Sequence, residues 1–373
     1  MAVFSLAAGV LLVLLVIWEG FETIILPRRV TRRFRVTRLF YRYTWLVWAA
    51  ASRRFPPGRR QETFLSYYGP LSLLTLLVVW AFGLILGFGM AQWGVHSLAG
   101  SLGQESHLLP DLYLSATTFF TLGLGDVVPR APAARLLTSI EAGTGFGFLA
   151  LLFAYVPALN QSFSRREVSI SLLDARAGSP PTAGEILRRH AHEPGLSALQ
   201  HLLHEWEGWS AEFLEGQLSY PVLAYFRSQH DNQSWLSALV AVLDTCALLM
   251  VGVEGPCARQ AGLTFAMARH ALVDLSVVFG VRPSGPVRDR LPPERFSALC
   301  GALTQAGLEL RERGEPELGE LRRLYEPYVQ PLASYFRMAV PPWCPEASFR
   351  DNWQMSAWEA GEIPAGRMKR GQL

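Results

Sequence analysis

The sequence predicts an all-α membrane protein. Three long apolar blocks precede residue 160, the remainder carries helical periodicity broken by Gly and Pro, and alternating runs of Val and Ile are absent. Half of the 373 residues are hydrophobic and only 17% are charged, which suits lipid-facing helices in the first half joined to a helical bundle in the second. Charge divides along the same line. Between Met1 and Glu62 eleven arginines stand against Glu19, Glu22 and Glu62, a local charge of +8 that leaves −5 for the rest of a chain whose net is +3. Lys369 is the single lysine, an Arg bias that suggests a GC-rich bacterial genome. Cys246, Cys257, Cys300 and Cys344 lack CxxC and Cys/His spacing, so they read as small core residues in a reduced compartment.

The first block, Val3–Leu26, is apolar apart from Glu19 and Glu22 and is long enough to cross a bilayer. It lacks the basic leader and small-residue cleavage site of a signal peptide, and an Arg cluster from Arg28 to Arg42 follows it. Residues 1–27 are therefore expected to form a transmembrane helix with its N-terminus outside. Residues 28–62 are expected to be a cytoplasmic, Arg-rich interfacial segment whose Arg28–Arg60 charges meet anionic lipid head groups. Its apolar stretch Tyr41–Ala51 is too short to cross, and Trp45 and Trp48 suit a helix lying at the interface. Arg29, Arg32, Arg35 and Arg38 also recur at the three-residue spacing of a voltage-sensing helix, against a background spoiled by Arg28, Arg33 and Arg42.

Leu71–Trp93 contains no charge and follows Arg53, Arg54, Arg59 and Arg60, so it should run outward; Arg135–Leu159 precedes Arg165 and Arg166 and should return. Between them Leu108–Phe120 is apolar yet too short to span, with Asp111 placed to cap a helix, and reads as a re-entrant segment. It ends in Thr121-Leu122-Gly123-Leu124-Gly125-Asp126-Val127-Val128-Pro129. Irregular backbone at membrane depth is tolerated only inside protein or along a water-filled path. A dehydrated cation needs several oxygen ligands, and successive carbonyls face one side only where backbone angles alternate in sign. Gly123 and Gly125 supply that alternation. Thr121 adds a hydroxyl at the inner mouth and Asp126 a negative charge at the outer one.

Thr-x-Gly-x-Gly-Asp, after a short re-entrant helix and between two spans, resembles the pore module of the potassium channel family, whose common filter is TVGYG. The resemblance covers roughly Leu71 to Phe163. It implies a pore domain over 63–163 of outer helix, pore helix, filter and inner helix, and a homotetramer, because one chain carries one pore loop. It also implies K+ as permeant ion at Thr121, Leu122, Gly123 and Leu124, with no other cofactor. Gly143, Gly145 and Gly147 interrupt the inner helix, Gly145 at the family's hinge position, and Pro157 lies near its inner end; hinge bending and close helix packing are both open to these residues. Thr117, Thr118 and Glu141 are the expected filter supports, Glu141 by pairing with Arg135, by approaching the filter from behind or as a plain buried contact. The chain departs from the family pattern at Leu124, where Tyr is usual, at Phe120, where a second Thr is common, and at Thr117, where some members carry Glu. Some animal two-pore-domain channels are similar in carrying Leu or Phe at the Tyr position.

Beyond the pore, residues 164–181 are expected to be a linker containing Gly178-Ser179-Pro180-Pro181, residues 182–340 a cytosolic helical domain, and residues 341–373 a tail holding Trp343, Trp353 and Trp358. Thr182-x-x-Glu185 is a capping box for a helix over Ala183–His190. Helical periodicity continues over Leu196–Trp209, Ala211–Leu218, Ser234–Val253, Ala258–Phe279, Pro292–Arg313 and Pro316–Phe336. Leu236–Val253 is apolar all round but carries Asp244, so it reads as a central bundle helix with Arg269 as partner for that carboxylate. His201, His204, Glu205 and Glu207, and likewise His270 and Asp274, show i,i+3 and i,i+4 spacing and read as solvated surface rather than metal ligands. The polar stretch Tyr220–Trp235, with Arg227, His230, Asp231 and Asn232, is the candidate place for an unknown cytosolic ligand. No GxGxxG follows a strand, and no catalytic set or nucleic-acid-binding pattern is present. Three functions follow: a potassium-selective channel gated through its inner helix and cytosolic domain, a poorly selective cation channel, or a membrane-anchored helical signalling domain with a degenerate pore.

Overall fold

A computed structural model describes residues 1–26, 35–98, 107–192, 194–230, 232–285, 289–308, 310–311, 314–345, 351 and 354. Every regular element among them is helical; the protein is an all-α membrane protein. The chain forms two units, Met1–Phe163 with Gly216–Arg227, and Ser164–Glu215 with Ser228–Leu373. Arg28, Arg29, Arg32, Arg33, Asp231, Trp353 and Trp358 lie outside the described residues.

In the first unit α1 (Ala2–Gly20) ends in a π turn, Phe21–Ile25, and packs along α4 (Tyr68–Leu98). Both helices are apolar around most of their circumference, so the hydrophobic effect does not select their contact; small residues do. A Cβ on Gly9 would stand 2.5 Å from the Gly87 carbonyl oxygen, and one on Gly94 2.8 Å from that of Ala2. At this distance Ser5 Oγ donates to the Met90 carbonyl at 2.8 Å. The π turn buries Glu19 and Glu22. Glu19 accepts from the Thr37 amide at 3.2 Å and the Thr37 hydroxyl at 3.1 Å, and so caps from outside the exposed amides of α2 (Val36–Ser52). Arg35, extended at the head of α2, lies 3.6 Å from the Glu22 carboxylate. Because α2 begins after Arg35, that residue and Arg38 do not share the continuous helix that regular voltage-sensor spacing would need.

Trp45 does not face lipid. Its α2 face Tyr41-Trp45-Ala49-Ser52 is buried, and Trp45 packs edge-on to Tyr68 at 4.8 Å and beside Tyr225 at 5.1 Å. Trp48 stacks on Phe64 of α3 (Arg59–Ser66) at 4.6 Å. Tyr225 belongs to a buried 3-10 turn, Pro221–Tyr225, so the first part of the stretch expected to be a polar ligand loop is apolar filling of this unit. The sequence Pro-Val-Leu-Ala-Tyr supplies the reason.

Helix α6 (Pro132–Ala177) is 46 residues long, about 69 Å. It continues through residues 164–177, where a linker is expected: no Gly or Pro interrupts them, and Ile170 and Leu173 are buried on one face. The chain turns only at Gly178, whose φ of +82° is left-handed.

In the second unit α7 (Ala183–Arg189) starts where Thr182 Oγ1 accepts from the Glu185 amide at 3.3 Å. The two helices expected over 196–218 are one, α8 (Gly195–Ser219), because Ser210 spends its hydroxyl on the Trp206 carbonyl at 2.7 Å rather than breaking the helix. Helix α9 (Trp235–Gly252) is the core, buried without interruption from Trp235 to Leu249. It and α10 (Pro256–Phe279) are both long and apolar enough to cross a membrane, as are α1, α4 and α6; α9 is nevertheless wrapped by protein. Asp244 on α9 is fully buried and pairs not with Arg269 but with Arg290 at 2.5 Å and the Tyr325 hydroxyl, which donates at 2.5 Å. Arg269 instead donates to the Leu324 carbonyl at 3.0 Å. The remaining helices are α11 (Pro293–Gln305), which stops before Gly307 at φ +99°, then α12 (Gly314–Arg323) and α13 (Glu326–Phe336), separated where Tyr325 turns inward to Asp244. The tail docks over its described part: the Trp343 ring is buried beneath Arg290 and Arg322, each 5.6 Å from its centre.

Candidate functional site

The site is built on α5 (Leu108–Phe119), 12 residues and about 18 Å long, well short of a bilayer core. The helix begins three residues before Asp111, so that residue is not its cap. Asp111 is buried in the first turn and meets His96 Nδ1 of α4 at 2.6 Å. A Cβ on Gly89 of α4 would meet the Leu112 side chain at 2.6 Å, which sets how closely α5 lies against α4.

The C-terminus of α5 shapes the loop that follows. Its last carbonyls would be unsatisfied, and the Thr121 amide donates to Thr118 at 3.0 Å while the Leu122 amide donates to Thr117 at 2.8 Å, with Gly123 at 3.4 Å from the same oxygen. Thr117 and Thr118 thus hold the loop through their backbone carbonyls; the Thr117 hydroxyl turns back to the Leu114 carbonyl at 3.0 Å. With their amides drawn toward α5, the loop residues alternate. Thr121, Gly123 and Gly125 have φ of +58°, +55° and +80°. Gly accepts this region freely, whereas Thr121 occupies it at a cost of about 1–2 kcal/mol. Among the described residues no hydrogen bond reaches the carbonyl oxygens of Thr121, Leu122, Gly123 and Leu124. Carbonyl oxygens without a hydrogen-bond donor are chemically able to serve as ligands for a dehydrated cation.

Asp126 closes the loop and hydrogen-bonds the Tyr113 hydroxyl, one turn before Thr117 on the same face of α5. The sequence reading missed Tyr113, although its i,i+4 spacing to Thr117 was visible.

Helix α6 meets the C-terminal half of α5. A Cβ on Gly145 would overlap the Phe119 carbonyl oxygen, so this glycine lets α6 touch the end of α5. Gly143 and Gly147 have no such neighbour, and α6 runs unbroken through Pro157, which leaves the Phe153 carbonyl without its helical donor. Glu141, one turn before Gly145, is fully buried. Its Oε1 contacts Ser115 Oγ of α5, and that hydroxyl also lies 2.8 Å from the Ile85 carbonyl of α4. Arg135 turns elsewhere, to the Pro129 carbonyl at 3.2 Å. Ser115 is a second residue the sequence reading did not single out.

Elsewhere the candidates stay apart. His201 and His204 are exposed and pair with Glu205 at 3.3 Å and Glu207 at 3.8 Å, and His270 lies 3.4 Å from Asp274. Among the described residues no three His, Cys, Asp or Glu side chains converge on a metal position.

Residues 74–161 match the family described as "Ion channel". The chain is also 28% identical over 191 residues to "Uncharacterized membrane protein YdjJ" of Bacillus subtilis (strain 168), an alignment covering 48% of this chain and 52% of that protein; the match spans about half the length of that relative. No solved structure matches the chain. The matched residues hold most of α4, all of α5, the loop that follows it and the first part of α6, so the similarity to the ion-channel family falls on the stretch that carries this loop.

Proposed function

We propose that this chain is one of four identical subunits of a potassium-selective channel. Thr121, Leu122, Gly123 and Leu124 would line its filter, and potassium would pass down its gradient through a ladder of carbonyls. The observation that carries this reading is the alternation of φ sign at Thr121, Gly123 and Gly125, the backbone pattern with which successive carbonyls can line one side of a strand. Four copies around an axis would give each ion a full oxygen shell. They would also cover Phe120, Leu122 and Leu124, which are exposed in the single chain.

The arginine clusters support an orientation with the N-terminus outside and the second unit in the cytoplasm, in the bacterial plasma membrane. Arg53, Arg54, Arg59 and Arg60 are exposed around the turn between α2 and α3 and suit contact with anionic head groups. Gating would run through α6, with Gly143, Gly147 and Pro157 as points where it can bend.

Purified protein in a planar bilayer with potassium on one side and sodium on the other tests the reading. A reversal potential near the potassium equilibrium value is expected, and Gly123→Asp or Gly125→Asp should abolish current while leaving assembly intact. Full current in either variant would remove the filter assignment. A second reading, a poorly selective cation channel, is favoured by one residue: Leu124 cannot brace the filter with a phenol as Tyr would. A reversal potential near zero with measurable current would establish it.

A further inference from the structure

Glu141 is the one acidic side chain of α6 placed against α5 and α4, and nothing in the filter assignment requires it. Its carboxyl is fully buried, Oε1 touches Ser115 Oγ, and Oε2 meets no hydrogen-bond partner among the described residues. A carboxylate so placed would be a bare buried charge, which is among the least tolerable groups in a protein interior. The charged and titratable groups on the packed elements do not relieve it. His96 of α4 and Asp111 of α5 are engaged with each other at 2.6 Å, Tyr113 of α5 serves Asp126, and Arg135 of α6 reaches Pro129.

A count of protons settles the direction of the contact. The Ser115 hydroxyl has one hydrogen and sits between two oxygens, Oε1 of Glu141 and the Ile85 carbonyl 2.8 Å away. The carbonyl can only accept, so it takes the serine proton. The contact with Glu141 is then a hydrogen bond only if the carboxyl is the donor. Protonation answers both difficulties together, since a neutral carboxyl is far cheaper to bury than a carboxylate.

We propose that Glu141 is held as a neutral carboxylic acid that donates its proton to Ser115 Oγ. It thereby ties α6 to α5 and, through the Ile85 carbonyl, α5 to α4. Glu141 is a positioning residue: it touches no ion. Ser115 lies only two residues before Thr117, whose carbonyl holds the amides of Leu122 and Gly123, so slack in this tie moves the loop. When the proton is lost to base in solution, the single hydrogen of the Ser115 hydroxyl must serve either the carboxylate or the Ile85 carbonyl, so one of the two links is broken. The pore then loosens as pH rises.

The inference rests on the channel reading for its electrical test but not for its chemical one. Infrared difference spectra of wild type against Glu141→Gln should contain a protonated carboxylic acid carbonyl band at neutral pH that disappears in alkali, whether or not the protein conducts. Absence of that band at neutral pH overturns the proposal. In bilayers, wild-type potassium-over-sodium selectivity should fall in alkali. Glu141→Gln, which keeps the shape and a hydrogen-bond donor without the titration, should keep wild-type selectivity with a flat pH profile. Glu141→Ala should lose roughly tenfold in selectivity at every pH, the effect of leaving a buried polar partner unsatisfied. Gln should rescue what Ala loses; equal behaviour of the two variants overturns the tie. An alkaline loss that persists in Glu141→Gln also overturns it and assigns the titration to His96–Asp111 or Tyr113. A wild-type protein that passes no current counts against the channel reading, while the infrared band still decides the protonation of Glu141.

Discussion

Among single residues the strongest consequences lie with groups buried in pairs. Asp244 was legible as an anomaly, a carboxylate in the middle of an apolar helix, but its partner was not. Spacing suggested Arg269 on the next helix, whereas the ion pair comes from Arg290, 46 positions away and beyond a loop. Nothing local in a sequence records a contact at that separation. Burial opposes the charge on Arg290, but Asp244 beside it outweighs burial and holds the guanidinium above its ordinary range. Arg290→Ala leaves Asp244 buried with only the Tyr325 hydroxyl, so denaturant unfolding of the helical unit should show a loss of about 3–5 kcal/mol. Glu185 gives the pH dependence. Burial works against its ionisation, yet hydrogen bonds from Arg188 and Arg189 and their charges prevail and hold its carboxyl below the usual range. A group depressed in the folded state stabilises the fold above its unfolded value, near 4.3, and loses that contribution as pH falls through the folded value. Melting curves of wild type and Glu185→Gln should therefore converge as the buffer is taken below about pH 4, with the wild type the more stable above it.

At the level of elements, existence was easier to read than extent. Apolar length announced α1, α4, α5, α6 and α9 because each must bury or immerse a continuous hydrophobic surface. Their ends depended on tertiary demands: the carboxylate of Glu19 starts α2, and residues 164–177 remain helical because a buried face carries the helix past the expected boundary. The positive φ at Gly123 and Gly125 was legible, since glycine at alternate positions is a backbone requirement and not a packing one, whereas the positive φ at Thr121 was not. Nor were the contacts of α5, because Ser115 and Tyr113 are ordinary helix residues until their partners are known. Gly145 changes meaning on the same ground. Its hinge position is occupied by the Phe119 carbonyl, so Gly145→Val should unseat α5 from α6. Expected outcomes are loss of potassium current and a melting temperature several degrees lower, measured by tryptophan fluorescence in detergent; a change confined to opening rate, with unaltered stability, would return the residue to a hinge role. The length of α6 has its own implication. About 20 residues suffice to cross a bilayer, so the 46 residues of α6 are more than twice what a span requires.

For the whole molecule, the proposed assembly makes a stoichiometric claim. Crosslinking in native membranes, or native mass spectrometry from detergent, should give a ladder ending at four subunits. A ladder ending at two would leave each filter strand without enough neighbours to enclose an ion. What the chain alone could not convey was its division into units. Boundaries drawn along the sequence were contiguous, at residues 163, 181 and 340, because composition changes there. The folded chain instead returns: residues 216–227 belong with the first unit, and Tyr225 among them fills the space between Trp45 and Tyr68.

Neither unit is therefore a module in the sense useful to gene fusion or domain exchange. A chain cut after Phe163 would keep every residue that matches the ion-channel family and still lose an aromatic wedge from its own interior. A graft of the second half onto another pore would carry that wedge with it, in search of a tryptophan and a tyrosine to receive it. Recombination that respected the sequence boundary would break the protein, and a workable exchange must take the insertion and its cradle together.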